Sequence, residues 1–311
     1  MAQDHEPTVL YETVHGSRAY GLAQEGSDTD LKGVVVGPAR WYYGFRGGPE
    51  QVELSPDHVR YELRKLLTLV AKANPTVLEV LFTEPEDHRV MTPWGERLLA
   101  ERERFLTKRV AGSFGGYAMQ QLRRIETHRR WLLHPPKEAP TRDAFGLPER
   151  KPIPRDQLGA VETLIERGDA PALSESFLEV LAREKRYRSA KKEWDQYCHW
   201  KKSRNPARAA LEAEHGYDTK HAMHLTRLQR MAVEILETGE VIVRRPDRDS
   251  LLAIRRGELS YEALIERARA NVARIRDAAE RSTLPDEPDE DAIESLGITI
   301  VEEVLTARRA R

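Results

Sequence analysis

The sequence predicts an α+β fold, in which a small mixed sheet near the N-terminus is followed by a mostly α-helical region. The first observation is a set of short β-branched segments before residue ~110, predicted as the strands Thr8–His15, Thr29–Val36 and His58–Leu63. The second is helical periodicity, which dominates from residue ~111 onward. We therefore expect a first domain at residues 1–110 and a helical domain at residues 111–311.

Helices are predicted in both regions from apolar residues that recur every three to four positions. Pro75 suits the first position of a helix, where its missing N–H is not needed. Six prolines between Pro135 and Pro154 interrupt the periodicity and predict a proline-rich loop at 134–155. The predicted helices are Arg64–Lys72, Pro75–Phe82, Phe114–Leu133, Gln157–Arg167, Glu175–Trp200, Thr219–Thr238, Tyr261–Arg281 and Ala292–Arg308.

Composition excludes several classes of protein. The chain has 311 residues, 40% of them hydrophobic, which is enough for a core in each of two domains. No apolar run approaches the ~18 residues that a membrane span requires. A single cysteine, Cys198, excludes an internal disulfide framework. The acidic first residues do not form a secretory signal, so we expect a cytoplasmic protein with no membrane partner.

A glycine–serine pair, Gly16–Ser17, lies between the first two predicted strands. Because glycine has no Cβ, the backbone N–H groups of such a turn can approach phosphate oxygens closely, and the serine hydroxyl adds a donor. The pair therefore indicates a polyphosphate cradle. An ordinary turn is the alternative.

Two aspartates follow, Asp28 and Asp30, the first of them eleven residues after Ser17. At positions i and i+2 of an extended segment, both carboxylates leave the same face of the sheet. Paired hard oxygen ligands suit Mg²⁺, with Mn²⁺ as the alternative ion, and water and substrate phosphates complete its coordination. The spacing therefore predicts a metal site beside the phosphate cradle, while a solvated strand edge stays open as the alternative.

These residues resemble the DNA polymerase β nucleotidyltransferase superfamily, which pairs a Gly-Ser turn with an Asp-x-Asp strand. A closer resemblance is to the YcgL-like or RlaP-type predicted nucleotidyltransferases, which are associated with RNA repair. It rests on the segments Gly16–Ala23, Tyr61–Lys65, Asn74–Glu79 and Gly216–Leu225. The resemblance implies a catalytic nucleotidyltransferase domain at 1–110, with the active site in the cleft between it and the helical domain.

The resemblance also implies a third carboxylate, on a neighbouring strand, that helps to hold metal and takes the proton from the attacking hydroxyl. We choose Asp57, which opens the predicted strand His58–Leu63, and keep Glu53 as the alternative. Glu62 is expected to face solvent or to cap the next helix. Arg18 belongs to the resembling motif and is predicted to bind nucleotide, with a plain surface charge as the alternative.

One face of the predicted helix Thr219–Thr238 carries cations. At 100° per residue, Lys220, His224 and Arg227 lie within about 60° of one another, beside an apolar stripe. The resemblance suggests Lys220 as a triphosphate ligand across the cleft, and His224 on the same face is a second nucleotide-binding candidate. A solvent-facing charge row is the alternative.

A basic and aromatic segment spans residues 183–231, with thirteen Lys/Arg against six Asp/Glu, although the net charge of the chain is −1. Cations interleaved with aromatic rings suit the binding of a nucleic acid. The alternative is a pair of amphipathic helices whose aromatic residues are core. The interleaved aromatics are Tyr187, Trp194, Tyr197, Trp200 and Tyr217.

The sequence therefore predicts a metal-dependent enzyme that moves a nucleoside monophosphate from an NTP to an acceptor hydroxyl and releases pyrophosphate. The expected acceptor is an RNA end, such as damaged tRNA. A small molecule or a protein side chain would need the same chemistry, and a module that binds a nucleotide or RNA without reacting is the alternative of another class.

Overall fold

A mixed five-stranded sheet forms the N-terminal part of the protein. The computed structural model describes residues 6–149, residue 163 and residues 175–310. The strands have the order β3-β4-β2-β1-β5, in which β2 and β4 are parallel and the other neighbours are antiparallel. They are β1 (Thr8–His15), β2 (Asp30–Val36), β3 (Gln51–Ser55), β4 (His58–Glu62) and β5 (His88–Met91). The predicted α+β class is confirmed.

Helices follow or connect these strands and make up most of the described chain after residue 92. The first six are α1 (Gly16–Ala19), α2 (Arg40–Tyr43), α3 (Leu63–Ala71), α4 (Pro75–Leu81), α5 (Pro93–Ala100) and α6 (Arg109–Leu133). The next six are α7 (Glu175–Ser203), α8 (Pro206–His215), α9 (Thr219–Thr238), α10 (Arg248–Arg255), α11 (Tyr261–Arg281) and α12 (Glu290–Arg309). No helix of the described residues is long and apolar enough to span a bilayer.

The predicted elements are largely present. β1, α9 and α11 have the predicted bounds, and Pro75 is the first residue of α4, where Asn74 caps the helix by accepting from the N–H groups of Thr76 and Val77. The elements that were not predicted include the strands β3 and β5 and the short helices α2, α5, α8 and α10. The predicted helix Gln157–Arg167 lies outside the described residues, except for residue 163, as does the predicted loop 134–155 beyond residue 149.

The chain divides into two compact units. The first comprises Met1–Glu126 and Tyr217–Arg311, and the second comprises Thr127–Gly216. The sheet and helices α9 to α12 therefore share one unit. The boundary predicted at residue 110 lies near the start of α6, after the last strand, and does not coincide with a boundary between these units.

A cross-strand cluster holds β4 beside β2 within the first unit. The buried carboxylate of Glu12 on β1 lies 2.6 Å from Arg60 Nε and 2.7 Å from His58 Nε2, both on β4. These side chains cross β2 above Gly33, where a Cβ would lie only 3.2 Å from Arg60 Cγ and 2.9 Å from the Tyr11 carbonyl oxygen. The missing side chain at Gly33 therefore allows one carboxylate to tie three strands together.

A buried ion pair joins α9 to α4. The Arg227 guanidinium donates to the Glu79 carboxylate, and both side chains are almost fully buried, at 4% and 2% exposure. The Tyr20 hydroxyl donates to the same carboxylate, and the Arg227 Cζ atom lies 3.8 Å from the centroid of the Tyr20 ring. Burial alone would raise the pKa of Glu79, but Arg227 and His15, with the Tyr20 hydroxyl, outweigh it and lower the pKa to about 2.

Removal of one partner of this pair is expected to be costly. Glu79→Ala leaves the Arg227 charge buried without its counter-ion, so the free energy of unfolding should fall by about 3–5 kcal/mol in urea denaturation. The double variant Glu79→Met/Arg227→Met removes both charges and should recover most of that loss. As a control, Glu303→Ala breaks the exposed pair Arg97–Glu303 and should cost less than about 1 kcal/mol. Equal losses for Glu79→Ala and Glu303→Ala would contradict the assignment.

Candidate active site

Two carboxylates meet at one edge of the sheet. Because β2 and β4 are parallel, with Leu31 opposite His58, the residues that precede this pair, Asp30 and Asp57, are also neighbours. The Leu31 N–H donates to the Asp57 carbonyl oxygen at 2.7 Å. Asp30 is half-buried and Asp57 is exposed. The register thus brings together two of the three predicted acidic residues.

Gly16 makes room for the Asp30 carboxylate. β1 ends at His15, directly opposite Asp30, and the chain then turns through Gly16 with φ +67°. A Cβ at Gly16 would lie 2.0 Å from Asp30 Oδ2, so a side chain there is excluded both by the backbone conformation and by contact. The turn continues into α1, where Ser17 is half-buried.

Asp28 precedes the strand rather than lying on it. The predicted start of β2 at Thr29 is one residue early, because β1 pairs only as far as His15 and Asp30, which leaves Asp28 and Thr29 without a strand partner. Asp28 is exposed. Arg18 fixes the loop that carries it, donating from Nη2 to the Ser27 carbonyl at 2.7 Å and from Nε to the Asp28 carbonyl at 3.2 Å.

The electrostatics of Asp30 reflect its crowded position. Burial is the main cause that raises the pKa of Asp30 above its usual value, and the nearby Asp57 carboxylate raises it further. His15, Lys32 and Lys220 act in the opposite direction. The groups that act on this residue therefore come from β1, β2, α9 and the turn between β3 and β4, all within one unit.

The strand order and register show how far each candidate for the third carboxylate lies from β2. Glu53 on β3 is opposite Val59 and is two strands from β2, about 10 Å away, whereas Asp57 directly precedes β4, the strand adjacent to β2. Glu62 is buried and takes the capping role that was one of its two expected positions: it accepts from the N–H of Arg64 and from the Tyr42 hydroxyl. Of the two expected positions for Glu62, the helix cap is therefore the one confirmed.

The three residues of α9 that were predicted to form a cationic face, Lys220, His224 and Arg227, have different environments. Lys220, in the first turn, is half-buried, and its charge acts on Asp30. Burial, followed by the charges of Arg227, Lys220 and His221, lowers the pKa of His224 to about 3, so its imidazole is neutral at pH 7. Arg227 is committed to Glu79. The alternative of a solvent-facing charge row is therefore wrong for Arg227.

Four residues that lie beside the site were not predicted from the sequence. His15 Nε2 lies 3.4 Å from Glu79 Oε2 and 3.4 Å from the Tyr20 hydroxyl, which forms a polar layer next to Gly16. An acid at position 79 within the apolar run of α4 is a signal that a buried cation must lie opposite it. Lys32, two residues after Asp30 on the same strand, has the same i, i+2 spacing that was applied to the aspartates.

The second unit contains the aromatic residues of the basic segment, apart from Tyr217. Tyr197 is buried, and its ring lies 5.8 Å from Trp131 and 6.0 Å from Trp200 between centroids. Tyr217, in the first unit, is also buried and donates to the Leu259 carbonyl. Packing thus accounts for these two tyrosines, as the alternative proposed. Exposed cations of α7 are Lys185, Arg186, Lys191, Lys192, Lys201 and Lys202.

A groove of about 750 Å³ lies elsewhere in the first unit, between α3 and α12. Leu67, Ile293 and Val301 are among its apolar lining residues. None of the predicted site residues lines it. The carboxylates therefore define the candidate active site by their chemistry rather than by this cavity.

Comparisons with known proteins agree with the motifs. Residues 1–134 match the family described as RlaP, RNA repair pathway DNA polymerase beta family. The chain is also similar to the uncharacterized protein YcgL of Bacillus subtilis (strain 168), at 32% identity over 89 residues. That alignment covers 27% of this chain and 34% of YcgL, so the chain spans about a third of that relative. No solved structure matches the chain significantly. The resemblance inferred from the motifs is confirmed for the part of the chain that carries the sheet and the carboxylates.

A side chain at position 16 should displace the Asp30 carboxylate. In Gly16→Ala we expect a loss of about 1–2 kcal/mol from the left-handed backbone, and at least about tenfold weaker Mg²⁺ binding in calorimetric titration, because the Cβ meets Oδ2. Gly26→Ala is the matched control, since Gly26 has φ +74° and open space around a Cβ. Equal Mg²⁺ affinity in the two variants would contradict the role of Gly16.

The neutral state of His224 should make stability depend on pH. The unfolded chain protonates this histidine near pH 6.5 while the folded chain does not until about pH 3, so the unfolded state binds more protons between these values and stability falls as pH falls. From pH 6.5 to 5, the wild type should lose on the order of 1 kcal/mol more than His224→Gln. Urea denaturation at the two pH values measures this, with the exposed His199→Gln as control. A His224→Gln variant with the wild-type pH dependence would show that His224 is not the group.

Proposed function

We propose that this protein is a metal-dependent nucleotidyltransferase, which moves a nucleoside monophosphate from an NTP, such as ATP, to an acceptor hydroxyl. The observation that carries the proposal is the Asp30 carboxylate against Gly16, with Asp57 beside it at the same sheet edge. The match of residues 1–134 to a DNA polymerase β family supports the reaction class.

The donor set fits a divalent ion. Asp28, Asp30 and Asp57 supply hard carboxylate oxygens within one stretch of sheet edge and its preceding loop, and the missing Cβ of Gly16 leaves space for one of them. Such oxygens are the ligands that Mg²⁺ prefers, and Mn²⁺ accepts them too. A bound ion would supply charge neutralisation and polarisation of the phosphate that is attacked.

The chain's own residues would bind and orient the substrates. The Gly16–Ser17 turn would seat the β- and γ-phosphates with its N–H groups and hydroxyl. Lys220 lies in the first turn of α9, where the helix dipole disfavours a cation, so its charge there is better suited to a bound anion. Arg18 would contact the phosphates through Nη1, and the neutral His224 would donate a hydrogen bond rather than contribute charge.

In the transfer, the acceptor oxygen forms a bond to the α-phosphorus as the bond from that phosphorus to the bridging oxygen breaks. Pyrophosphate leaves with the electron pair. Asp57 would take the proton of the acceptor hydroxyl, since it is exposed next to Asp30. Positioning and charge stabilisation would supply most of the rate enhancement.

We propose an RNA end, in damaged tRNA or another broken RNA, as the acceptor. The printed description of the matched family names an RNA repair pathway, and α7 exposes six cations that suit a phosphate backbone. A cytoplasmic location agrees with an NTP donor and a single unpaired cysteine.

The proposal is tested by incubation of the full chain with α-phosphate-labelled NTPs, Mg²⁺ and total RNA. We expect label in RNA, and we expect Asp30→Asn to reduce transfer by at least about a thousandfold because it loses a metal ligand. Asp57→Asn should reduce transfer far more than Glu53→Gln, which is its matched control on the outer strand.

The other outcomes are equally distinct. Label in the protein or in an added small molecule would replace the RNA acceptor, and nucleotide binding without transfer to any acceptor would indicate a sensing module. Undiminished transfer by Asp30→Asn would sink the proposed site. A larger loss with Glu53→Gln than with Asp57→Asn would exchange their roles.

A further inference from the structure

Lys32 lies on β2, next to the candidate active site. It is two residues after Asp30 on β2, whose pairing with β4 is regular, so both side chains leave the same face of the sheet. Its neighbours in the sheet are Thr13 on β1 and Val59 on β4, and neither carries a charge. Lys32 is half-buried.

In the described part of the first unit, the two buried arginines and the half-buried Arg60 are paired with carboxylates. Arg227 contacts Glu79, Arg245 contacts Glu234 and Asp247, and Arg60 contacts Glu12. By contrast, no carboxylate in the described part of the chain lies within 4.0 Å of the Lys32 ammonium. An ammonium that is partly withdrawn from water and has no counter-ion is costly unless a ligand supplies the negative charge.

The surroundings of Lys32 indicate what that ligand is. Its charge acts on Asp30, as does the charge of Lys220 on α9, so two cations from different elements favour the charged form of one proposed metal ligand. A lysine ammonium is a compact point charge that commonly binds phosphate. A polyphosphate next to a metal ion presents negative oxygens that the Lys32 ammonium can bind.

We propose that Lys32 binds the phosphate chain of the nucleotide, forming a second phosphate subsite beyond the Gly16–Ser17 turn. This inference rests on the proposed nucleotide substrate and adds a contact on the sheet that no motif assigns. The competing explanation is that Lys32 only offsets repulsion among the carboxylates. In that case its removal would change Mg²⁺ binding and leave the affinity for a polyphosphate unchanged.

The test is calorimetric titration of the full chain with inorganic tripolyphosphate, without metal. Lys32→Gln removes a charged hydrogen bond to the ligand, so it should weaken tripolyphosphate binding by at least about tenfold. Lys32→Arg retains the charge and should recover most of the affinity. Lys72→Gln removes the same charge from the exposed end of α3 and should bind like the wild type.

A second measurement uses the wild type alone and does not depend on a variant that folds. Tripolyphosphate should slow the acetylation of Lys32 by an amine-reactive reagent, as read by mass spectrometry, while Lys72 reacts at an unchanged rate. Equal affinity of wild type and Lys32→Gln, or acetylation of Lys32 that tripolyphosphate does not slow, would overturn the role of Lys32. A wild type that binds neither tripolyphosphate nor NTP would overturn the proposed function as well.

Discussion

The contact between the Gly16 turn and the Asp30 carboxylate is the constraint on which the candidate site depends. β1 ends opposite the first residue of β2, so the chain must leave the sheet at the point where a carboxylate projects from it. A left-handed residue without a Cβ is what permits both at once. Because β2 and β4 are parallel, the same edge also receives Asp57. The missing side chain of Gly16 therefore makes room for the Asp30 carboxylate, and the parallel pairing places Asp57 beside it.

A buried polar layer lies next to this edge and explains why the cations of α9 do not act as a row. Glu79 accepts from both Tyr20 and Arg227, and His15 lies within 3.4 Å of it. Buried charges can favour one conformation only if their partners are held in a fixed geometry. Here the Glu79 carboxylate contacts α9 through Arg227 and the two residues that flank Gly16–Ala19, His15 and Tyr20. Arg227 is thus committed to the ion pair with Glu79.

The sequence was sufficient for the features that depend on local pattern. The β-branched and apolar residues of Thr8–His15 and the 3.6-residue period of Thr219–Thr238 predict elements with the observed bounds, and the Gly-Ser and Asp-x-Asp spacing indicates the site. Features that depend on pairing were not predictable. β3 and β5 are short, and the first of them, Gln51–Ser55, is mostly exposed, so its sequence carries no apolar stripe. Glu79 is paired with Arg227, which lies 148 residues away in the sequence, so this contact depends on tertiary structure. The proximity of Asp57 to Asp30 depends on the register of β2 and β4.

The distribution of charge around Asp30 bears on what the site can accept. The pKa of Asp30 is raised mainly by burial and further by repulsion from the Asp57 carboxylate. The charges of Lys32 and Lys220 offset only part of this effect. A free metal ion would gain from the carboxylates but be repelled by the lysines, whereas a free polyphosphate would meet the reverse. A metal ion and a polyphosphate bound together would satisfy both sets of charges, because the metal ion would neutralise the carboxylates and the polyphosphate would neutralise the lysines. The arrangement therefore favours the pair over either component, and this coupling is what a nucleotidyltransferase requires of its substrate complex.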